Sequence, residues 1–324
     1  MNFRNYFLVG GAGFIGSHFV DALLKQPAIN KVTIYDNFSS GREWHYQHNL
    51  DNARFSVVRA DVRDLYSLKE AMAGHEVVMH FASNPDISLA TIDPSVDFTN
   101  GVYLTHQVLE AARLSDVKRI LYMSGSGVYG DVGTKEIHEN HGPLIPISTY
   151  GASKLFGEAL ISSYCHMFDL SACIFRFGNV VGPRQTHGVS YDFVKKLTMD
   201  PTQLHILGNG QQSKSYVHVY DVVEAVLLAN HHLKTKYEVY NVATGDYLTV
   251  REIADIAIKQ MSLKDSVNMV FSGGDRGWKG DVPVVRLNTN KILALGWICR
   301  RNSAQAITES VRAIMNHIEE GLIH

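Results

Sequence analysis

The sequence predicts an α/β chain built on a doubly wound parallel sheet, with a smaller, mainly C-terminal lobe. Three observations carry this. Near-continuous apolar, β-branched runs alternate with amphipathic helical stretches, as expected of a sheet covered by helices on both faces. The first run, Tyr6-Phe7-Leu8-Val9, breaks into Gly10-Gly11-Ala12-Gly13-Phe14-Ile15-Gly16 and at once opens a helical pattern. An acid, Asp36, ends the second run twenty residues after Gly16. Strand, glycine turn, helix and a following acid are the parts of a Rossmann-type mononucleotide-binding unit.

The elements follow in order. Strands are expected at 6–9, 31–35 (KVTIY), 55–59 (FSVVR), 76–82 (EVVMHFA), 119–124 (RILYMS), 171–177 (SACIFRF) and 238–242 (EVYNV). Helical periodicity lies near 14–26, 66–73, 98–114, 149–167 and 218–230. After Gly178 the texture changes, and 179–215 is rich in Gly, Pro, Gln and His. The chain is expected to return to the sheet at 216–243. It then forms a helix at 250–261, a strand at 267–271, a glycine-rich loop at 273–280 and a last helix at 304–320. This divides the chain into a cofactor-binding domain (1–178 plus 216–243) and a substrate lobe (179–215 plus 244–324). Right-handed crossovers place ligands at the carboxyl ends of the strands.

Bulk properties exclude several functions. The 324 residues suffice for a large core, and 45% hydrophobic with 19% charged residues is ordinary globular composition. A formal net charge of -2 argues against a nucleic-acid or anionic-membrane partner. No apolar run approaches the ~20 residues that span a bilayer. No basic-then-apolar signal segment precedes the glycines, and Cys165, Cys173 and Cys299 are odd in number and unpatterned. Together these lead us to expect a cytoplasmic protein. His138-Glu139-Asn140-His141 and His231-His232 lack a metal-ligand frame, so no metal is expected.

The chemistry starts with the glycines. One allows the turn, one lets a phosphate approach the backbone, and one lets helix and strand pack closely. The helix N-terminus then faces a pyrophosphate. Asp36 stands where a carboxylate binds both hydroxyls of an adenosine ribose and repels a 2′-phosphate, so NAD is preferred to NADP. Tyr150-Gly151-Ala152-Ser153-Lys154 opens a helix. Residues four apart share a face, so phenol and ammonium can approach one reacting group. A nearby cation and a helix N-terminus favour phenolate, letting a tyrosine act as a base near neutral pH.

With these motifs in place, the chain resembles the extended short-chain dehydrogenase/reductases, in particular NAD-dependent nucleotide-sugar epimerases of the UDP-glucose 4-epimerase type. The resemblance covers nearly the whole chain. It rests on Gly10 to Gly16, Asp36-Asn37, Asp61-Val62, His80-Phe81-Ala82-Ser83, Val128-Tyr129-Gly130, Tyr150-x-x-x-Lys154, Arg176-Phe177-Gly178-Asn179-Val180-Val181-Gly182-Pro183, Tyr216-Val217-His218-Val219 and Arg276-Gly277-Trp278-Lys279-Gly280-Asp281-Val282-Pro283.

The resemblance implies roles. Gly10, Gly13, Phe14, Ile15 and Gly16 would hold the pyrophosphate. Asp36, Asn37, Ser39, Ser40 and Gly41 would surround the adenosine ribose, and Asp61 and Val62 the adenine. Ala82 and Ser83 would line the nicotinamide half, Phe81 and Phe177 would also contact the cofactor, and Asn100 would support the site near the base. Tyr150 would take the proton of a sugar hydroxyl while Lys154 bonds the nicotinamide ribose. The sugar carbon would give hydride to NAD⁺, the keto-sugar would turn over, and NADH would return hydride to the opposite face. Asn179 and Arg276 would contact the nucleotide diphosphate and Lys214 would lie near the nucleotide; Ser83, Ser126, Tyr150, Tyr216 and Asp281 would complete the substrate-binding set. Family members often pair through the helices at 98–114 and 149–167, which implies a homodimer.

One position departs from the family. A Ser or Thr is usual four residues before the tyrosine of Val-Tyr-Gly, and this chain has Gly125. In an extended strand Ser124 and Ser126 point to the opposite face. Three readings stand: Ser126 or Ser124 swings in, a water stands in, or the space admits a bulkier sugar. Our working hypothesis is Ser126. Ser126-Gly127 also lacks the carboxylates that dehydratases and decarboxylases of this family place there. The expected function is C4 epimerisation of a nucleotide-diphosphate sugar of the UDP-glucose/UDP-galactose type. The alternatives are another NAD-dependent nucleotide-sugar oxidoreductase and a non-catalytic NAD-binding sensor.

Overall fold

The computed structural model describes residues 3–84, 86–263 and 267–323. Its contacts divide the chain into two compact units. The first holds the chain up to Val128 with Thr149–Arg176 and Val223–Tyr240; the second holds Tyr129–Ser148, Phe177–Val222 and the chain from Asn241 onward.

The first unit is built on a seven-stranded sheet. Its strands are β1 (Asn5–Val9), β2 (Lys31–Asp36), β3 (Phe55–Arg59), β4 (Val77–His80), β5 (Arg119–Gly125), β6 (Ser171–Phe177) and β7 (Tyr237–Val242). Their order is β7-β6-β5-β4-β1-β2-β3. The order reverses between β1 and β4, and such a switch point is where open α/β sheets bind ligands. The pairs β1–β2, β1–β4, β2–β3 and β4–β5 are parallel. Each of the seven expected strands is present within two residues of its expected ends, but the expected return to the sheet at 216 is not made there: Tyr216–His218 pairs in parallel with Asn179–Val181 apart from this sheet.

The register positions the site. Val9 lies opposite both Tyr35 and His80, so Gly10, Asp36 and Phe81 leave the sheet at one level. His80 pairs with Tyr122, and β5 continues three residues further to Gly125. Phe7, Leu8, Val9, Ile34, Val77 and Val78 are fully buried, which fits strands covered on both faces. Each such side chain stabilises the fold by about 1.5–3 kcal/mol. The covering helices that matter most here are α1 (Phe14–Leu24), α2 (Leu65–Met72), α3 (Leu104–Leu114) and α4 (Thr149–Met167). The expected helix at 98–114 is α-helical only from Leu104, because Phe98–Tyr103 widens into a π-helical segment.

The second unit has a core of three helices. Phe193, Val194 and Leu197 of Val189–Met199 pack with Ile253, Ala257 and Ile258 of Val250–Gln260, and with Ile307, Val311 and Ile314 of Ser303–Glu319. The latter two helices start at capping boxes, Thr249 with Glu252 and Asn302 with Gln305. Strand Gln203–Ile206 pairs in parallel with Asn268–Phe271. Helix Val189–Met199 and strand Gln203–Ile206 lie within 179–215, the Gly-, Pro-, Gln- and His-rich stretch for which no helix or strand was expected.

Candidate active site

The glycine turn shows a division of labour. Gly10 has φ 78°, and a Cβ there would come within 2.6 Å of the Ala82 nitrogen. A Cβ at Gly16 would lie 2.7 Å from the Gly11 Cα and 2.8 Å from the Gly10 oxygen. Gly13 caps α1, and a Cβ there would meet only the Gly10 oxygen, at 3.3 Å. So Gly10 bends the chain, Gly16 lets α1 lie on the turn, and Gly13 keeps the approach to the helix end uncrowded. The first amides of α1 have no intrahelical acceptor and sit at the positive end of the helix. A pyrophosphate fits this cradle, which side chains at Gly10 or Gly16 would close.

Asp36 braces the same turn. Its Oδ2 accepts from the Ala12 amide at 3.0 Å and its Oδ1 from the Phe38 amide at 2.8 Å. Burial raises its pKa, and the two amides oppose that rise. Gly41 packs against it, since a Cβ there would lie 3.1 Å from Oδ1. Asn37 donates to Asp61 Oδ2 at 3.2 Å, and the Ser39 amide donates to Asn37. Arg63 forks onto the Asp61 carboxylate at 2.9 and 2.6 Å, which holds Asp61 well below the usual carboxylate range. Val62 is buried and Ser40 half-buried. Arg42, a neighbour of Asp36 in sequence, turns its guanidinium onto the Gly41 carbonyl. A ribose and an adenine fit this rim of hydroxyl, amide and carboxylate groups.

A continuous series of contacts leads from the turn to Tyr150. The Phe81 and Ala82 amides both donate to the Val9 carbonyl, at 2.8 and 3.0 Å. Ala82 thereby lies against Gly10, and the next residue, Ser83, hydrogen-bonds the Tyr150 side chain. Tyr150 stands in the first turn of α4. One turn on, the Lys154 ammonium lies 5.6 Å from the centre of the Tyr150 ring and donates to the Met123 carbonyl at 2.9 Å. Burial pulls the Lys154 pKa down to about 8, against the pull of Asp97 and Glu158. Asn100 lies in the π-helical segment, where a Cβ on the adjacent Gly101 would meet Ser153 Oγ of α4 at 2.6 Å.

The electrostatics correct one expectation. Lys154 and the helix end were expected to favour phenolate at Tyr150. Instead burial raises the Tyr150 pKa, the Ser83 hydrogen bond only partly opposes it, and the Asp97 carboxylate adds to the rise. In this state the residue rests as a phenol.

The two candidate serines part company. Ser124 Oγ donates to Glu158 Oε1 at 2.6 Å. Glu158 is gripped by Arg176, through Nε at 3.0 and 3.2 Å and Nη2 at 2.6 Å, and all three residues are buried. Ser124 therefore serves an ion pair under α4. β5 ends at Gly125 and the chain tightens into a 3₁₀ turn at Ser126–Tyr129, so strand alternation no longer governs Ser126. Ser126 is half-buried, and a Cβ at Gly125 would meet nothing within 4 Å.

Asn179, Lys214, Tyr216, Arg276 and Asp281, together with Phe177, belong to the second unit. Lys214 Nζ pairs with Asp281 Oδ1 at 2.6 Å, and Asp281 Oδ2 accepts from the Gly277 amide at 3.1 Å. Arg276 donates to the Asp281 carbonyl and to Asp131 Oδ2, the latter at 2.7 Å. The Tyr216 phenol hydrogen-bonds Asn179, and burial raises its pKa. The Lys214 ammonium and the planar Arg276 guanidinium fork suit a diphosphate.

Sequence reasoning missed Asp97, Glu158 and Asp131. Glu158 alone left a local signal, standing four residues after Lys154 on the same helix. Asp97 and Asp131 are joined to their partners only by the fold.

Comparison with known proteins gives the family. The family model described as NAD dependent epimerase/dehydratase matches residues 6–243. The chain is 33% identical to a putative UDP-glucose 4-epimerase of Methanocaldococcus jannaschii, covering 90% of this chain and 92% of that one. It is 30% identical to a dTDP-glucose 4,6-dehydratase of an Actinoplanes species, over 78% and 80% of the two chains. Among solved structures, a UDP-galactose 4-epimerase superposes with a TM-score of 0.84 at 34% identity, covering 97% of this chain and all of the other.

Proposed function

This chain belongs to the NAD dependent epimerase/dehydratase family, and we propose that within it the chain epimerises a nucleotide-diphosphate sugar, of the UDP-glucose/UDP-galactose type, at C4. The observation that carries the proposal is the continuity Gly10–Ala82–Ser83–Tyr150, which sets a phenol at the far end of a dinucleotide cradle. The absence of a carboxylate from the turn after Gly125 favours epimerisation over water loss, which needs an acid beside the sugar. The similarity to UDP-glucose and UDP-galactose 4-epimerases supports the substrate class.

NAD, when bound, supplies the hydride acceptor and donor. The protein's own groups do the rest. Tyr150 takes the proton of the C4 hydroxyl as the carbonyl forms and returns it when the carbinol re-forms. Lys154 bonds the nicotinamide ribose and, once the site is filled, its charge draws the Tyr150 pKa down. Ser126 donates to the sugar oxygen in place of the hydroxyl missing at Gly125. Asn179, Lys214 and Arg276 hold the nucleotide diphosphate, with Tyr216 bonded to Asn179 and Asp281 to Lys214 beside them. The exposed Phe98, Tyr103 and Phe156 support a homodimer through the π-segment, α3 and α4. The odd, unpatterned set of Cys165, Cys173 and Cys299 supports a reducing, cytoplasmic setting.

The test is incubation of the purified protein with UDP-, dTDP-, GDP- and CDP-sugars, with chromatographic separation of products. An epimer of unchanged mass, lost in Tyr150→Phe, is the expected result. A product lighter by one water, or net NADH formed in step with product, overturns the epimerase reading. No turnover on any sugar nucleotide leaves the binding-module alternative standing.

A further inference from the structure

Asp97 is buried, with 1% of its surface exposed, and it sits between two segments that both reach Tyr150. Its Oδ1 accepts from Asn84 Nδ2 at 2.9 Å, and Asn84 follows Ser83, the residue bonded to Tyr150. Its Oδ2 accepts from Thr149 Oγ1 at 2.6 Å, and Thr149 precedes Tyr150. Among the described residues Asp97 makes no ion pair; both partners are neutral. A buried carboxylate without a cation is a costly group that a purely structural site could replace by an amide.

We propose that Asp97 is a positioning residue for this site. It clamps the Ser83–Asn84 loop to the start of α4, so that the Ser83–Tyr150 hydrogen bond is held before substrate arrives, and its charge sets how readily Tyr150 gives up its proton. The inference rests on the reading of Tyr150 as the base.

The other groups around Tyr150 leave this role to Asp97. On α4, Lys154 is the cation and Glu158 is neutralised by Arg176. From β5, the Tyr122 phenol bonds Thr105 and is held protonated by burial. From β4, His80 is buried, its pKa pushed down to about 3, and its Nε2 meets Thr105 at 3.1 Å. From the loop, Ser83 and Asn84 are neutral. Asp97 is the one of these carboxylates whose charge no cation matches in direct contact, and it acts on both Tyr150 and Lys154.

The test uses NAD-bound protein carrying Asp97→Asn, which keeps the shape and removes the charge, or Thr149→Val, which keeps the charge and loosens the clamp. Ultraviolet titration of tyrosinate, with Tyr150→Phe as the blank, reads residue 150 directly, and the pH profile of kcat reads its use in turnover. Asp97→Asn is expected to move both the titration and the rising limb of kcat to lower pH by about half a unit or more. Thr149→Val is expected to lower kcat by roughly tenfold with KM nearly unchanged and the limb in place. A titration of Asp97→Asn that coincides with the wild type overturns the proposal, as does a Thr149→Val enzyme of full kcat. A titration that moves while the kcat limb does not upholds Asp97 and instead removes Tyr150 as the base.

Discussion

Replacing Lys154 by Met tests the electrostatics of the site without any substrate. The ammonium is 4% exposed, and burial draws its pKa from the ordinary 10.5 to about 8. At about 1.4 kcal/mol per pH unit this corresponds to roughly 3 kcal/mol. The sign follows from proton binding. Between about pH 8 and 10.5 the unfolded chain holds the proton and the folded chain has released it, so stability rises with pH there. Below about pH 8 both states hold the proton, and the burden of the buried charge is constant. The Met variant lacks this dependence. It leaves the Met123 carbonyl without its donor, at a cost of about 1–3 kcal/mol that does not vary with pH. Urea unfolding of both NAD-free proteins across pH 7 to 11 gives the difference, in which other titrating groups cancel. The wild-type stability, relative to Lys154→Met, is expected to climb by up to about 3 kcal/mol across that window. A flat difference would show that the ammonium is not desolvated, and the picture of Lys154 as a strained cation held ready for the cofactor would fall. The variant is also expected to lose turnover.

Three further substitutions examine the ends of the site. Ser126→Ala is expected to lower kcat by roughly 10²-fold, whereas Ser124→Ala should mainly lower stability, by about 1–3 kcal/mol, because Glu158 loses a buried donor. Steady-state kinetics beside thermal unfolding separates the two, and the reverse pattern would mean that the wrong hydroxyl was chosen. Gly16→Ala puts a Cβ 2.7 Å from the Gly11 Cα, so the turn must open. NAD affinity by calorimetry is expected to fall at least about tenfold, the loss of one good charge-assisted interaction; unchanged affinity would contradict the cradle geometry.

What was legible in the sequence was what lies close in the sequence. The glycine turn, the acid ending β2 and the Tyr150–Lys154 pair each fall within one element or its edge, so spacing alone exposes them. The β-branched runs gave the sheet because strands buried on both faces admit few polar residues. Helix Val189–Met199 was hidden because Gly182, Pro183, Gln185, His187 and Gly188 precede it and read as loop. Its apolar residues Val189, Phe193, Val194 and Leu197 nevertheless recur at helical spacing. Asp97 could not be read at all. An aspartate near a helix start is ordinary, and only the fold brings Asn84 and Thr149 to it. The resting state of Tyr150 was misjudged for a related reason. Spacing reveals which charge is near, but not how much water the group has lost.

The start of α1 carries a last consequence. Its cap is Gly13, which has no side chain to receive an amide of the first turn. A Ser or Asp there would close the helix on itself and strengthen it by a few tenths to about 1 kcal/mol. It would also spend the amides that the phosphate needs. The protein instead leaves its own first turn incomplete and lets an outside anion finish it. Cofactor binding should therefore register in folding as well as in catalysis, as a stability that rises with the concentration of NAD.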